Sequence, residues 1–428
     1  MNVRAKERQC RSRVVRSLGV GTALSLALVG CGEGGADDGD VTLSFTWWGP
    51  DARHELTQEV IDLYEEENPH VSIEPSFREW GGYWDALATQ AAGGDLPDIV
   101  QMDSGYLRTY ADQGSLLELE TVDTSGHDES VVRNGMIDDE LFAVTIGINA
   151  TVMAANVTLF DEADVDLPDD TTWTWEDYAE VSSELDDALP DSHGAEGPFG
   201  IATLEMWLRQ QGKEIRSPDG DDVGFTVEDA ARYFELQLEL MQQGAYPGAD
   251  VISENQSAGH EQSLAGQGRA ALSTWSSNEL LAIATATGDE FTPLRLPRQS
   301  EGPSRPDTYY KSSMYLSGSA GTEHPEEVQH FIDFFANSTA AGEILRTERG
   351  VPPNADVLDA VLPGLTGLDA DIAEFLRGME GEVGDPPPLP PSGGADFGQI
   401  VQRYELEVFF ERLSPRQAAE SMVEEMSV

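Results

Sequence analysis

The chain lacks most of what would give it covalent or catalytic identity. It holds two cysteines in 428 residues, Cys10 and Cys31. Cys10 lies in an N-terminal segment that reads as cleaved, so no intramolecular disulfide is expected and stability must come from the core. Positive charge is scarce: 25 Lys and Arg against 79 Asp and Glu, a formal net charge of −54, with three lysines in all. That balance disfavours nucleic acid and anionic membrane surfaces as partners. The acids are scattered rather than clustered, which reads as a solvated surface suited to high ionic strength; a polycationic ligand is the alternative. No G-x-S-x-G, P-loop or C-x-x-C occurs. The seven histidines are dispersed. His324, Glu327 and His330 share a helical face but lack H-E-x-x-H spacing and a third ligand. They read as surface, and neither a metal nor another cofactor is implied. Carboxylates are so numerous that any pair can be imagined as a glycosidase couple, so their count identifies none.

Long apolar runs are also missing, with one exception. Leu18–Gly30 is apolar or small throughout and follows a basic segment, Met1–Arg16. The run is short for a bilayer span and long enough for the apolar part of a signal. It closes on Leu28-Val29-Gly30-Cys31, the layout of a bacterial lipoprotein signal. Residues 1–30 are therefore expected to be removed and Cys31 to be lipidated. The chain would then work on the extracytoplasmic face of the cell membrane, held by lipid alone. Residues 31–40, rich in Gly and Asp, read as a flexible tether.

What is present begins with alternation. Val41-Thr42-Leu43-Ser44-Phe45 reads as a strand broken by Trp47-Trp48-Gly49-Pro50. A helix with Leu56, Val60, Leu63 and Tyr64 on one face ends at Asn68-Pro69. Val71-Ser72-Ile73 is a second strand. Trp84, Leu87, Ala88 and Ala91 form a helical stripe stopped by Gly93-Gly94, and Pro97–Met102 is a third strand. This β-α-β-α-β order predicts an α/β fold with a parallel sheet and helices on its faces. Later, Thr174 with Asp177 and Thr226 with Asp229 read as helix caps. Ala270–Trp275 and Met314–Leu316 read as strands. His324-Pro325 and Ser414-Pro415 open helices. Pro386–Pro391 reads as a stiff crossing segment.

Several pieces occur in order: Thr42-Leu43-Ser44-Phe45-Thr46-Trp47-Trp48-Gly49; Asn68-Pro69; Ala91-Ala92-Gly93-Gly94-Asp95-Leu96-Pro97-Asp98-Ile99; and Tyr110-Ala111-Asp112-Gln113-Gly114-Ser115-Leu116-Leu117. Thr172–Asp177, Leu264–Leu272 and Arg349-Gly350-Val351-Pro352 follow. Together they resemble the extracellular solute-binding proteins of family 1, the sugar-binding subunits of ABC importers, which include maltose-binding protein. The resemblance covers nearly the whole chain after Cys31. It implies a type II periplasmic-binding-protein fold, with two α/β lobes joined by crossing hinge strands and the ligand between them. The first lobe would take 41–148 and 310–350, the second 149–309 and 351–428. There are two departures. The family's first hinge strand usually ends in proline, whereas this chain reads Phe142-Ala143-Val144-Thr145-Ile146-Gly147-Ile148-Asn149. After that strand the family usually carries Tyr-Asn, whereas this chain has Ala155-Asn156.

Sugars are held by aromatic faces on the ring C–H groups and by planar polar groups on the hydroxyls, at the C-terminal ends of parallel strands. Trp48 and Gly49 end the first strand, and Arg53 follows within reach. Trp80 precedes a Gly-Gly pair in what reads as a loop. Asp103 and Ser104 end the third strand, where Asp103 also fits a helix cap. Asn149 ends the hinge strand. Trp207 and Trp275 are the choices from the second lobe, with Tyr310 and Phe397 beside the crossings. The expected activity is capture of a carbohydrate, an oligosaccharide, for an ABC permease by a monomer that is not an enzyme. A surface-tethered glycoside hydrolase, or the same fold binding a polyamine or peptide, remains open.

Overall fold

The computed structural model describes residues 39–197, 199–217, 222–256, 258–299, 308–387 and 397–427. Cys31, the signal segment, nearly all of the tether and the proline run beyond Pro387 lie outside the described residues. Among the described residues no helix is long and apolar enough to cross a membrane.

The expected opening order is present: β1 (Val41–Trp48), α1 (Asp51–Glu67), β2 (Val71–Arg78), α2 (Trp80–Gly93), β3 (Ile99–Met102) and α3 (Ser104–Asp112). β1 lies between β2 and β3 and is parallel to both. β2 runs further than its apolar start implied, through Pro75, which an edge strand tolerates. Two later strands complete this sheet. Lys311–Gly318 runs antiparallel to β3, and Val144–Asn149 runs antiparallel to Lys311–Gly318. Alternation along β1 sends Leu43, Phe45 and Trp47 to one side, against α1 and the helix Pro325–Asn337. Phe45 meets Phe331 edge-on at 5.5 Å. Trp48 goes to the other side, with residues of α2 and α3.

Of the second sheet, the strand at Ala270–Trp275 was legible in the sequence and the rest was not. The sheet's spatial order is Phe291–Leu294, Thr151–Asn156, Ala270–Ser276 and His193–Ala195. The first two pairings are antiparallel and the last parallel. Met153 and Ala155 face a core that includes residues of helices Trp175–Ala188, Val227–Gln242, Phe397–Phe409 and Pro415–Met426. Val152 and Ala154 face a second cluster on the hinge side. Capping boxes at Thr174/Asp177, Thr226/Asp229 and Ser414/Gln417 start three of those helices.

The crossings between the sheets converge. Val144–Asn149 belongs to the first sheet and Thr151–Asn156 to the second, so the chain crosses at Ala150. It returns at Tyr310 into Lys311–Gly318. A third crossing, Arg349-Gly350-Val351, bonds to the first: the Ile148 amide donates to the Val351 carbonyl at 2.8 Å, and the Val351 amide to the Ile148 carbonyl at 3.1 Å. The Ser313 hydroxyl reaches the carbonyls of Gly147, at 2.8 Å, and Arg349. A Cβ on Gly147 would sit 2.0 Å from the Arg349 oxygen, so this approach requires glycine. Where the family usually carries proline, Asn149 pairs opposite Lys311.

Candidate functional site

The C-terminal ends of β1, β2 and β3 share one edge of the first sheet. Aromatic side chains gather there. Trp48 is buried and meets the Trp80 ring edge-on at 5.0 Å and Tyr83 at 5.2 Å. Trp84 lies 5.5 Å from both Trp48 and Trp80 and stacks on Tyr106 at 3.7 Å with 10° between planes. Trp80 is the open member, 46% exposed. It begins α2 instead of lying in a loop. An indole held by neighbours with one side in solvent is the geometry needed to cover a sugar ring. Trp47, one residue earlier, is buried on the opposite side, where its Nε1–H donates to His54 Nδ1 at 3.0 Å.

Polar groups flank this aromatic edge. Asp103 caps α3, its Oδ1 accepting from the Gly105 amide at 2.9 Å, and Ser104 is the first helical residue. Burial raises the Asp103 pKa, against the pull of that amide and of Lys311. Lys311 opens the returning strand opposite Asn149 and is exposed. Its charge is also felt by Glu205, on the helix Ile201–Arg209. Burial pushes the Glu205 pKa up to about 7, opposed by Arg209, by the Tyr309 hydroxyl and by Lys311. Tyr309 donates to Glu205 Oε2 at 3.1 Å. Arg209 lies over the Tyr309 ring at 5.0 Å and pairs with Glu214 at 3.0 Å. These groups come from both sheet regions and meet at the crossings.

A hollow of about 300 Å³ lies on the hinge. Its lining includes Arg53 of α1, Asn149, Glu348 and Arg349 of the crossings, and Asn278, Leu281 and Asp369 of the second region. Arg53 is buried. Its Nε pairs with Glu348 at 2.7 Å and its Nη1 donates to the Trp48 carbonyl at 3.2 Å. Gly49 has φ 151°, and a Cβ there would lie 2.5 Å from Arg53 Cδ.

The structure thus brings Trp48, Gly49, Arg53, Trp80, Asp103, Ser104 and Asn149 to the sheet edge and hinge. Trp275 is half-buried opposite Val152, against the hinge-side cluster. Three expectations are corrected. Trp207 is 5% exposed and packs in the second core, 5.9 Å from Tyr233, beside a separate outer hollow shared with Trp175. Phe397 is buried in the same core, with Arg216 over its ring at 3.9 Å. Tyr310 is buried, its hydroxyl donating to the Leu376 carbonyl at 2.7 Å, and Tyr309 takes the polar position instead. Residues the sequence reading missed are Tyr106, Glu205, Tyr309, Lys311, Asn278 and Asp369. Trp84, expected in the helical core stripe, is buried there. Lys311 carried a signal, as a rare lysine beside a strand. His330, considered as a metal ligand, is hydrogen-bonded to the Tyr64 hydroxyl at 2.8 Å.

Residues 51–342 match the family of bacterial extracellular solute-binding proteins. The chain belongs to this family. As a solute-binding protein it resembles a lipoprotein from the oleD 5′ region of Streptomyces antibioticus, 26% identical over 223 residues. That match takes in 50% of this chain and 48% of the other, so the chain spans about half the length of that relative. Among solved structures, a family 1 solute-binding protein of Alicyclobacillus acidocaldarius superposes with TM-score 0.79 at 23% identity, covering 91% of this chain and 98% of that one. An oligogalacturonide-binding protein of Yersinia enterocolitica gives 0.75 at 18% identity, with 90% and 98% covered. The GacH receptor of Streptomyces glaucescens, solved unliganded and with acarbose, gives 0.68 at 15% identity, with 90% and 97% covered. These likenesses show the two-lobed type II periplasmic-binding-protein fold.

Proposed function

We propose that this solute-binding protein captures a carbohydrate, an oligosaccharide, between its lobes and delivers it to the permease of an ABC importer. In this reading residues 41–148 and 310–350 form the first lobe and 149–309 and 351–428 the second. The observation that carries the reading is the open indole of Trp80 on the Trp48–Trp84–Tyr106 group, with Tyr106 on the helix that Asp103 caps. The solutes named for the Yersinia and S. glaucescens proteins are saccharide in character, which supports it. The charge at the crossings argues against a polyamine, because the exposed Lys311 lies among the acids Asp103 and Glu205. Such a mixed set suits neutral hydroxyls. Closure is a population shift: contacts from both lobes exist together only in the shut form, so solute stabilises that form.

A thermal-shift screen over oligosaccharides and polyamines, at about 0.15 M and about 1 M NaCl, tests this. We expect an oligosaccharide to raise Tm, with an affinity that salt leaves nearly unchanged, because a neutral ligand has no charge to screen. A shift from polyamines alone, lost in high salt, would overturn the reading.

We also propose that Cys31 is the lipid anchor and that the chain works on the extracytoplasmic face of the membrane. The lipoprotein relative supports it. Cys31→Ala should abolish membrane retention in cell fractionation. A mature Cys31→Ala chain that still sediments with membranes would sink the proposal.

A further inference from the structure

We infer that Arg53 is a positioning residue that fastens the Trp48–Gly49 turn to the third hinge crossing, and so sets how far the cleft stands open. The inference rests on the two-lobed solute-binding reading and assigns Arg53 a role other than touching solute.

The observations form a closed ring. Arg53 Nη1 donates to the Trp48 carbonyl, and its Nε pairs with Glu348 Oε1 at 2.7 Å. The other oxygen of Glu348 pairs with Arg349 Nη1 at 3.1 Å. Arg349 Nε donates to Gln101 Oε1 at 3.4 Å, and Gln101 Nε2 donates to the same Trp48 carbonyl at 3.3 Å. A branch from Arg349 Nη2 reaches the Thr57 hydroxyl in α1 at 2.6 Å. One carbonyl at the aromatic edge is therefore held from two sides by a network whose middle member, Glu348–Arg349, belongs to the crossing chain. Arg349 is 2% exposed. Its carbonyl accepts from Ser313, whose hydroxyl also reaches Gly147, so the ring extends into the point where all three crossings meet.

The chemistry explains the residue choices. A planar guanidinium donates in two directions at once and so bridges a carbonyl and a carboxylate, which a lysine ammonium does less specifically. Buried charges of this kind are tolerated because each is paired and hydrogen-bonded, and removing one partner leaves the others exposed to the full desolvation cost. Gly49 is part of the same device. A side chain there would occupy the space of the Arg53 side chain, which Glu348 prevents from moving aside.

The test needs no ligand. Spin labels at Thr89→Cys in α2 and Glu235→Cys in the helix Val227–Gln242, both exposed, report the distance between the lobes in the full chain with Cys10→Ser and Cys31→Ser. Pulsed electron resonance on the solute-free protein should show a distribution broadened and displaced by a few ångströms in Arg53→Ala and in the near-isosteric Glu348→Gln. The double variant should add nothing beyond the larger single effect, and Arg53→Lys should recover part of it. Circular dichroism confirms that each variant is folded. Unchanged distributions in folded Arg53→Ala and Glu348→Gln would overturn the inference, as would an effect in Arg53→Ala with none in Glu348→Gln. Failure of the carbohydrate reading is seen separately, in the solute screen.

Discussion

Trp47, Trp48, Trp80 and Trp84 belong to the first sheet and its helices; Trp173, Trp175, Trp207 and Trp275 belong to the second region. In the first set Trp47, Trp48 and Trp84 are buried, Trp84 stacked on Tyr106, and Trp80 is open, 46% exposed. In the second set Trp173, Trp175 and Trp207 are all core residues, and Trp275 alone is half-buried. The difference lies in what surrounds each ring. Trp48 ends β1 and Trp80 opens α2 just after β2, and the rings of Trp48, Trp84 and Tyr106 cover Trp80 only in part. Trp175 and Trp207 sit on amphipathic helices whose inward faces pack on the second sheet, and a large ring there adds to the core. Buried charge differs in the same way. At the hinge, one carboxylate, Glu348, pairs with both Arg53 and Arg349. In the second core, Glu405 accepts from the Tyr233 hydroxyl and the Gly200 amide, and Glu196 from Asn255 and Ala265, with neither carboxylate in a described ion pair.

The largest expected effect breaks the comparison if it fails. Trp207→Ala should cost on the order of 3–5 kcal/mol of stability, the usual range for deleting a buried aromatic side chain. Denaturant unfolding measures it. A loss below about 1 kcal/mol would return Trp207 to the surface and to candidacy as a ligand residue.

A smaller effect sharpens the contrast in buried charge. Burial pushes the pKa of Glu405 up to about 7. The folded state therefore holds its proton at a pH where the unfolded chain has released it. Stability from this group is fully present below about pH 4.5 and is lost as pH rises through 7. Glu405→Gln keeps the site neutral at every pH. It should exceed the wild type by on the order of 1–3 kcal/mol near pH 8, with the gain fading toward about pH 5. Paired unfolding curves across pH decide it. A difference independent of pH would mean that the carboxyl titrates normally.

The legibility of the molecule follows the same division. The opening β-α-β-α-β unit was readable because each element carries its own period and its own stop, down to Gly93-Gly94. The helix caps were readable because a Thr and an Asp three residues apart act locally. Apart from Ala270–Trp275 the second sheet was not, because Thr151–Asn156 continues the crossing strand without a break and His193–Ala195 offers three residues with little apolar signal. Trp48, Asp103 and Asn149 were legible as strand-end residues because strand ends are visible in sequence. Glu205 and Tyr309 were not, since a helix residue and a crossing residue about a hundred positions apart meet only through the fold. Trp207 was chosen as an aromatic of the second lobe and Tyr310 and Phe397 for their places beside the crossings, and all three are buried.

The most direct measurement is calorimetry of Trp80→Ala with the oligosaccharide that gives the largest thermal shift. Trp80 is open, so its removal should change stability by less than about 1 kcal/mol. If its ring covers a sugar, binding should weaken by on the order of 1–3 kcal/mol, as for other stacked or interfacial aromatics. An unchanged affinity in a folded Trp80→Ala protein would contradict the account and move the solute away from the first-lobe aromatic edge.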